Sequence, residues 1–336
     1  MPDNDADSSP SVLPADVTAS NFGVFEPTLP LGIEQLDRLR LSFSRIDTYQ
    51  NCGLKFRFAY IDKLPQKPSP HLSFGNSVHA ALEAFFDRKL PTAPPLEVLL
   101  DTLYAKWDKS GFVSLPRDEQ MEYYRHAQEV LRRYYQRVVD DFRLPLATEQ
   151  WFDMPMGNNV TIVGSIDRVD VDDDGGLHVI DYKTNRKAKT YQDVSRSLQL
   201  SLYALACEYL YGRLPESVAL DFVVPGVSIT VPVSELDLDK ARATVLETAE
   251  AIRASAFAPE PNPLCNWCDF QTLCPAWSGP DGETFAELTL QLEADRRRLL
   301  REIDTFRTRE EAQRRLRDDL TNTDTDHGLN ADNGDR

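Results

Sequence analysis

The chain has 336 residues, 41% hydrophobic and 27% charged, with a formal net charge of −17. That is enough to bury one large core or two small ones, and no apolar run approaches the roughly 18 residues of a membrane span. Net acidity excludes a protein that coats nucleic acid by bulk charge, but the charge is uneven: residues 1–40 hold 7 acids against 2 bases and residues 281–336 hold 15 against 10, leaving −7 for 41–280. Inside that middle stretch Lys183, Arg186, Lys187, Lys189 and Arg196 face only Asp193 as a local opponent. Such patches, more than net charge, decide phosphate binding.

Residues 1–24, rich in Asp, Ser, Pro and Ala, are expected to form a disordered acidic arm. They show neither the basic start nor the apolar segment of a secretory signal, so a cytoplasmic, nucleoid-associated location is the expectation. Ser44 is a candidate N-cap for a helix through Ile46, Tyr49, Phe56 and Tyr60, with Cys52 inside it. Val78, Leu82 and Phe86 mark the apolar row of a second helix, on which His79 and Glu83 lie one turn apart. Residues 95–108 and 117–142 read as two further helices. Tyr123, Tyr124, Tyr134 and Tyr135 on the second of them either stack bases or pack against the core. Glu149, Trp151 and Met154 lie in a strand. Glu149 could add a carboxylate to a site, but nothing in its spacing requires it.

Residues 162–167 alternate as a strand, Asp173-Asp174-Gly175-Gly176 supplies turn chemistry, and His178 to Lys183 returns as a second strand. This hairpin sets Asp167 and Asp181 on adjacent strands, with Lys183 on the face of Asp181. Two carboxylates and an ammonium at one strand end suit a divalent cation and a phosphate. A calcium loop, Asp170-x-Asp172-x-Asp174-Gly175-x5-Asp181, is the competing pattern. It needs flanking helices and a final Glu, whereas the flanks here alternate as strands. A helix follows with Gln199 and Tyr203 one turn apart on one face. Next come a second hairpin around Pro225-Gly226 and a helix over 236–256. A charged helical appendage over 283–320 and a disordered acidic tail over 321–336 complete the expected order.

Gly75-x-x-x-His79, Asp167, Asp181-Tyr182-Lys183 and Gln199-x-x-x-Tyr203 together resemble the RecB-like branch of the PD-(D/E)XK nuclease superfamily, over roughly residues 41–280. The resemblance implies an α/β, restriction-endonuclease-like core with a central mixed sheet flanked by helices. It implies that His79, Asp167, Asp181 and the Tyr182 carbonyl hold Mg²⁺ or Mn²⁺. Asp167, Asp181 and Lys183 then serve catalysis, and Gln199, Tyr203, Arg186 and Lys187 contact DNA.

Cys265-x-x-Cys268-x5-Cys274 lies in a Pro- and Trp-rich loop, with Cys52 far upstream. Clustered Cys-x-x-Cys outside an oxidising compartment reads as metal binding, either zinc or iron–sulfur. The split layout resembles the iron–sulfur members of the RecB-like family, which implies a [4Fe–4S] cluster on Cys52, Cys265, Cys268 and Cys274 that staples the periphery, with structural zinc as the alternative. That family usually has proline after the first cysteine, where this chain has Gly53. Cys207, among Leu205 and Leu210, reads as core.

The expected function is a metal-dependent deoxyribonuclease, an exonuclease preferring single strands or free ends, in DNA repair or recombination. The alternative is a non-catalytic DNA-binding or scaffold subunit. No Gly-x-x-x-x-Gly-Lys-Ser/Thr loop is present, so a helicase would act in trans.

Overall fold

In the computed structural model, residues 38–87 and 90–276 are described, together with Arg298 and Arg301. The arm over 1–24, the tail over 321–336, and the 283–320 appendage apart from Arg298 and Arg301 lie outside the described residues. The chain divides into two units, Met1–Pro263 and Leu264–Arg336.

The first unit is built on a mixed six-stranded sheet flanked by helices. Its strands are β1 (Leu39–Leu41), β2 (Ala147–Gly157), β3 (Val160–Val171), β4 (Leu177–Lys183), β5 (Ser217–Phe222) and β6 (Val227–Pro232). The helices are α1 (Phe43–Asn51), α2 (Gly53–Phe56), α3 (Pro70–Phe86), α4 (Leu96–Ala105), α5 (Arg117–Val138), α6 (Tyr191–Ser195), α7 (Leu198–Tyr211) and α8 (Leu238–Arg253). β3 pairs antiparallel with β2 over most of its length. It also takes β1 in parallel at Val160–Ile162 and β4 antiparallel at Arg168–Val171. β5 lies parallel to β4 and is closed by the hairpin to β6, where Gly226 adopts φ +74°.

Alternation along β4 sends side chains to two cores. Leu177 and Val179 join the one that holds buried residues of α1, α7 and α8, including Ile46, Leu202 and Val245. Ile180 and Tyr182 meet the one built from α3, α4 and α5, with Phe85, Leu103 and Leu131. The sheet is thus a middle layer between two helical layers. Along β3, Val160, Ile162 and Ile166 face the first core, and so does Val169, three residues further on. The period-2 alternation therefore slips by one at Asp167. β2 slips with it, since the pairing register is the same on both sides of that point, Gln150 with Ile166 and Thr148 with Arg168. Glu149, between the two β2 residues, has φ +44°.

Two local readings change. The first helix is capped by the Ser42 side chain rather than Ser44, and it ends at Asn51. Cys52 is therefore not inside a helix. Its backbone is extended, its Sγ accepts from the Lys55 amide at 3.4 Å as the N-cap of α2, and a π-helix runs over Arg57–Ile61. Gly53 sits at the break in close contact with the segment after α8: a Cβ there would meet the Ala256 carbonyl at 3.0 Å and the Ala258 carbonyl at 3.3 Å, so a side chain would force that backbone to shift. The tyrosines of α5 pack rather than stack bases: Tyr134 is buried and its hydroxyl is 3.1 Å from that of Tyr182, Tyr124 sits edge-on to Trp107, and Tyr135 edge-on to Phe85.

Arg168 is a buried charge in the second core. It lies over the Phe86 ring at 3.9 Å and holds Asp170 through Nε at 2.6 Å and Nη2 at 2.8 Å. Arg168→Ala strips the half-buried Asp170 carboxylate of its partner and leaves a void beside Phe86, and we expect a stability loss of about 3 kcal/mol in urea unfolding. A loss under about 1 kcal/mol would show the pair to be dispensable.

In the second unit, Cys265 and Cys268 are joined by a turn (Cys268 N–H to the Cys265 carbonyl, 3.1 Å), and Gln271 Nε2 donates to the same carbonyl at 3.2 Å. Among the described residues no helix is long and apolar enough to cross a membrane.

Candidate active site

The hairpin ladder between β3 and β4 ends at Arg168 and Ile180. Beyond it β4 continues alongside β5 without β3, so the two strands open into a fork whose arms begin with Asp167 and Asp181. The Tyr182 amide, left without a partner on β3, donates to Asp167 Oδ2 at 2.7 Å. Asp181 is almost fully buried, and its Oδ1 accepts from Gln199 Nε2 at 2.9 Å. Gln199 also reaches Lys183 Nζ through Oε1 at 2.9 Å and the Tyr203 hydroxyl through Nε2 at 2.9 Å. One side chain of α7 therefore orients the carboxylate, the ammonium and the phenol. The structure brings Asp181, Lys183, Gln199 and Tyr203 together, while Arg186 and Lys187 lie exposed in the loop after β4.

His79 enters from α3, on the other side of the sheet. Gly75, one turn earlier, lets the helix come close: a Cβ would stand 3.2 Å from the Thr184 hydroxyl. His79 Nδ1 lies 3.4 Å from Asp167 Oδ2, and the ring is edge-on to Tyr182. A cavity of about 520 Å³ opens over these groups, lined among others by Asn76, His79, Glu149, Asp167 and Thr184. Glu83 lines it too, one turn beyond His79.

Burial, reinforced by the charge of Asp181, pushes Asp167 up to about 8, and burial pushes His79 down. At neutral pH without a cation, the His79–Asp167 contact is therefore between two neutral groups rather than an ion pair. Because the unfolded chain loses that proton near pH 4 while the folded chain keeps it, the metal-free protein loses stability as pH rises from about 4 to about 8. A cation that needs the ionised carboxylate must displace the same proton. Mn²⁺ affinity should thus rise about tenfold per pH unit below about 8 and level off above it. Calorimetric titrations between pH 6 and pH 9 measure this; an affinity flat across the range would exclude the linkage.

The donors suit a divalent cation. His79, Glu149 and Asp167 each offer a ligand atom, all within 4.8 Å of one another. Asp181 Oδ2 is buried without a hydrogen-bond donor, for although Lys183 Nζ lies 2.6 Å away, it meets the oxygen outside hydrogen-bonding geometry. Hard oxygen donors with one neutral imidazole match Mg²⁺ or Mn²⁺ chemistry. A second group, Asp172, His178 and Glu216, also lies within 4.8 Å. Asp172 there is already engaged, since it accepts from the Asp174 and Gly176 amides and lies 3.0 Å from His178 Nε2, which staples the hairpin turn. Strands flank this acidic turn, as the alternation implied, and not the helices of a calcium loop.

Comparison with known proteins identifies the family. The family model of the PD-(D/E)XK nuclease superfamily matches residues 40–275. The chain belongs to that superfamily. It is 28% identical over 267 residues to the Gene 69 protein of Mycobacterium phage D29, an alignment covering 70% of this chain and 96% of that protein. It is also 28% identical over 188 residues to one subunit of the ATP-dependent helicase/deoxyribonuclease of Streptococcus agalactiae, covering 51% of this chain but only 17% of that relative. The crystal structure of SSO0001 aligns with 70% of this chain and 96% of its own at 18% identity, with a TM-score of 0.30, too loose a likeness to argue from. As a member of this superfamily, the chain has the fold of a phosphodiester-cleaving, divalent-metal enzyme, with DNA as the substrate class the family implies.

Glu149 is the residue the sequence underrated, because its place depends on lying across from Asp167 in the β2–β3 register. Cys52 stands at the α1–α2 junction with its Sγ accepting from the Lys55 amide and, at 3.5 Å, from the Glu260 amide. Cys265, Cys268 and Cys274 belong to the second unit. Cys207 is buried, and desolvation pushes its thiol up to about 12, which leaves it an inert core residue.

Proposed function

We propose that this protein is a Mg²⁺- or Mn²⁺-dependent deoxyribonuclease of the RecB-like branch, an exonuclease that prefers single-stranded DNA or free ends and works in repair or recombination. The observation that carries the reading is the fork itself: Asp181 is buried with Lys183 Nζ 2.6 Å from its Oδ2, and the opposed Asp167, half-buried, lines one cavity together with His79. His79, Asp167, Asp181 and the Tyr182 carbonyl would hold the cation. A bound divalent ion supplies Lewis acidity to the scissile phosphate and acidifies a water.

The chain's own groups do the rest. Burial keeps His79 neutral, hence a donor to metal rather than a competing cation. Lys183 Nζ, held by Gln199 Oε1, places positive charge where negative charge grows on the phosphoryl oxygens. Gln199 fixes the Asp181 carboxylate against rotation, so its other oxygen stays available. The exposed Arg186 and Lys187 suit contacts to the sugar-phosphate backbone. We further propose, from the cysteine spacing alone, a [4Fe–4S] cluster on Cys52, Cys265, Cys268 and Cys274. The cluster is a staple and not a reactant, since hydrolysis moves no electrons. The helicase partner rests on the streptococcal relative's name alone, and the chain covers only 17% of that relative.

The test is digestion of 5′- and 3′-end-labelled single- and double-stranded DNA by anaerobically purified protein with Mg²⁺, Mn²⁺ or EDTA. Metal-dependent release of 5′-phosphorylated products, faster from single strands, is expected. DNA retained on the protein but uncut in both metals would instead support a non-catalytic role in binding. His79→Ala should need at least about tenfold more metal for half-maximal cleavage. An unchanged metal requirement would return His79 to a structural role.

A further inference from the structure

We infer that Glu149 is a metal ligand, completing with His79 and Asp167 a cation position that shares Asp167 with the neighbouring Asp181; the inference rests on the proposed metal-dependent reading of the fork. Glu149 lies directly across from Asp167 in the β2–β3 register, between the pairs Thr148–Arg168 and Gln150–Ile166. Two carboxylates so opposed cannot both ionise without cost to the sheet, and a cation between them removes that cost. Among the described residues the Glu149 side chain has no hydrogen bond and no ion pair to offset this. It is only half-exposed, and it lines the cavity above Asp167.

The backbone is arranged to produce this placement. Glu149 takes φ +44°, unusual for a residue with a Cβ, in the interior of a strand. At this point both strands turn over together, so that Ala147 and Phe152, five residues apart, pack on the same core. A regular strand would keep the side chain in step with its neighbours. The slip instead delivers its carboxylate to within 4.8 Å of ligand atoms on both His79 and Asp167. A cation is the partner whose charge and donor preference meet all three groups at once.

The two roles open to Glu149 differ in sign. A structural glutamate stabilises the protein when metal is absent; a ligand glutamate destabilises it then and stabilises it only with metal. Mn²⁺ binding by calorimetry and melting temperature with EDTA or saturating Mn²⁺ should be measured for wild type, Glu149→Gln, Glu149→Gly and Asp167→Asn. For Glu149→Gln we expect Mn²⁺ affinity at least about tenfold weaker, an unchanged or higher melting temperature in EDTA, and a smaller rise on adding Mn²⁺. Glu149→Gly, which also relieves the positive φ, should show the same pattern. Wild-type Mn²⁺ affinity in Glu149→Gln, with a lowered melting temperature in EDTA, overturns the inference. If Asp167→Asn loses Mn²⁺ in that same series, the metal-dependent reading survives without Glu149. Wild-type affinity in Asp167→Asn as well would overturn both.

Discussion

Asp181→Asn should lower DNA cleavage by at least about a thousandfold and abolish tight Mn²⁺ binding, without lowering the stability of the metal-free protein. The substitution keeps the acceptor that Gln199 Nε2 uses, so α7 stays docked, and it removes the charge that helps push Asp167 up. What is lost is the anionic oxygen, buried and 2.6 Å from the Lys183 ammonium. Lys183→Met should separate the two roles. It retains the apolar stem and removes the ammonium held by Gln199, so cleavage should fall at least about a hundredfold while Mn²⁺ still binds. Cleavage rates and calorimetry on the same preparations check both; near-normal cutting by either variant would remove the fork from the reaction.

Cys52→Ser should cost the cluster and a large part of the stability together. If the four cysteines hold [4Fe–4S], anaerobic protein is brown with about four irons per chain, and Cys52 closes a loop of more than 200 residues to Cys265. On the logarithmic loop-entropy rule such a closure is worth about 5 kcal/mol, with the cluster treated as a simple cross-link. Serine at 52 is itself a good N-cap for α2 and can accept from the Lys55 amide as the sulfur does now, so the loss is not one of helix capping. Cys207→Ser, inside the core and outside the spacing pattern, should leave iron content unchanged. Stoichiometric zinc with iron near zero in anaerobic protein would replace the cluster by a structural zinc site and leave the nuclease assignment standing.

The sequence showed those parts of the site that are local. Asp167 and Asp181 could be paired from the residues alone because the Asp-Gly-Gly turn fixes the hairpin, but the slip in alternation at Asp167 was not legible in the sequence. Gln199 and Tyr203 followed from helical spacing. His79 needed the resemblance, since it comes from a different layer and no periodicity links α3 to β4. Glu149 was visible only as a carboxylate in a strand. Its proximity to Asp167 arises from strand pairing, and its orientation from a positive φ that non-glycine residues rarely adopt. The break at Cys52 was hidden for a related reason: apolar residues keep helical spacing through it, and the backbone that crowds Gly53, Ala256–Ala258, lies about 200 residues away in sequence. The aromatic face of α5 favoured core packing over base stacking already in the sequence, and the buried Tyr134–Tyr182 contact decides for packing at Tyr134.

The most direct test of the fork as the metal centre is anomalous diffraction from crystals equilibrated with Mn²⁺. The account predicts manganese within coordination distance of both Asp167 and Asp181, beneath His79. Manganese found only at Asp172, His178 and Glu216, or a fork without density at saturating Mn²⁺, would contradict it.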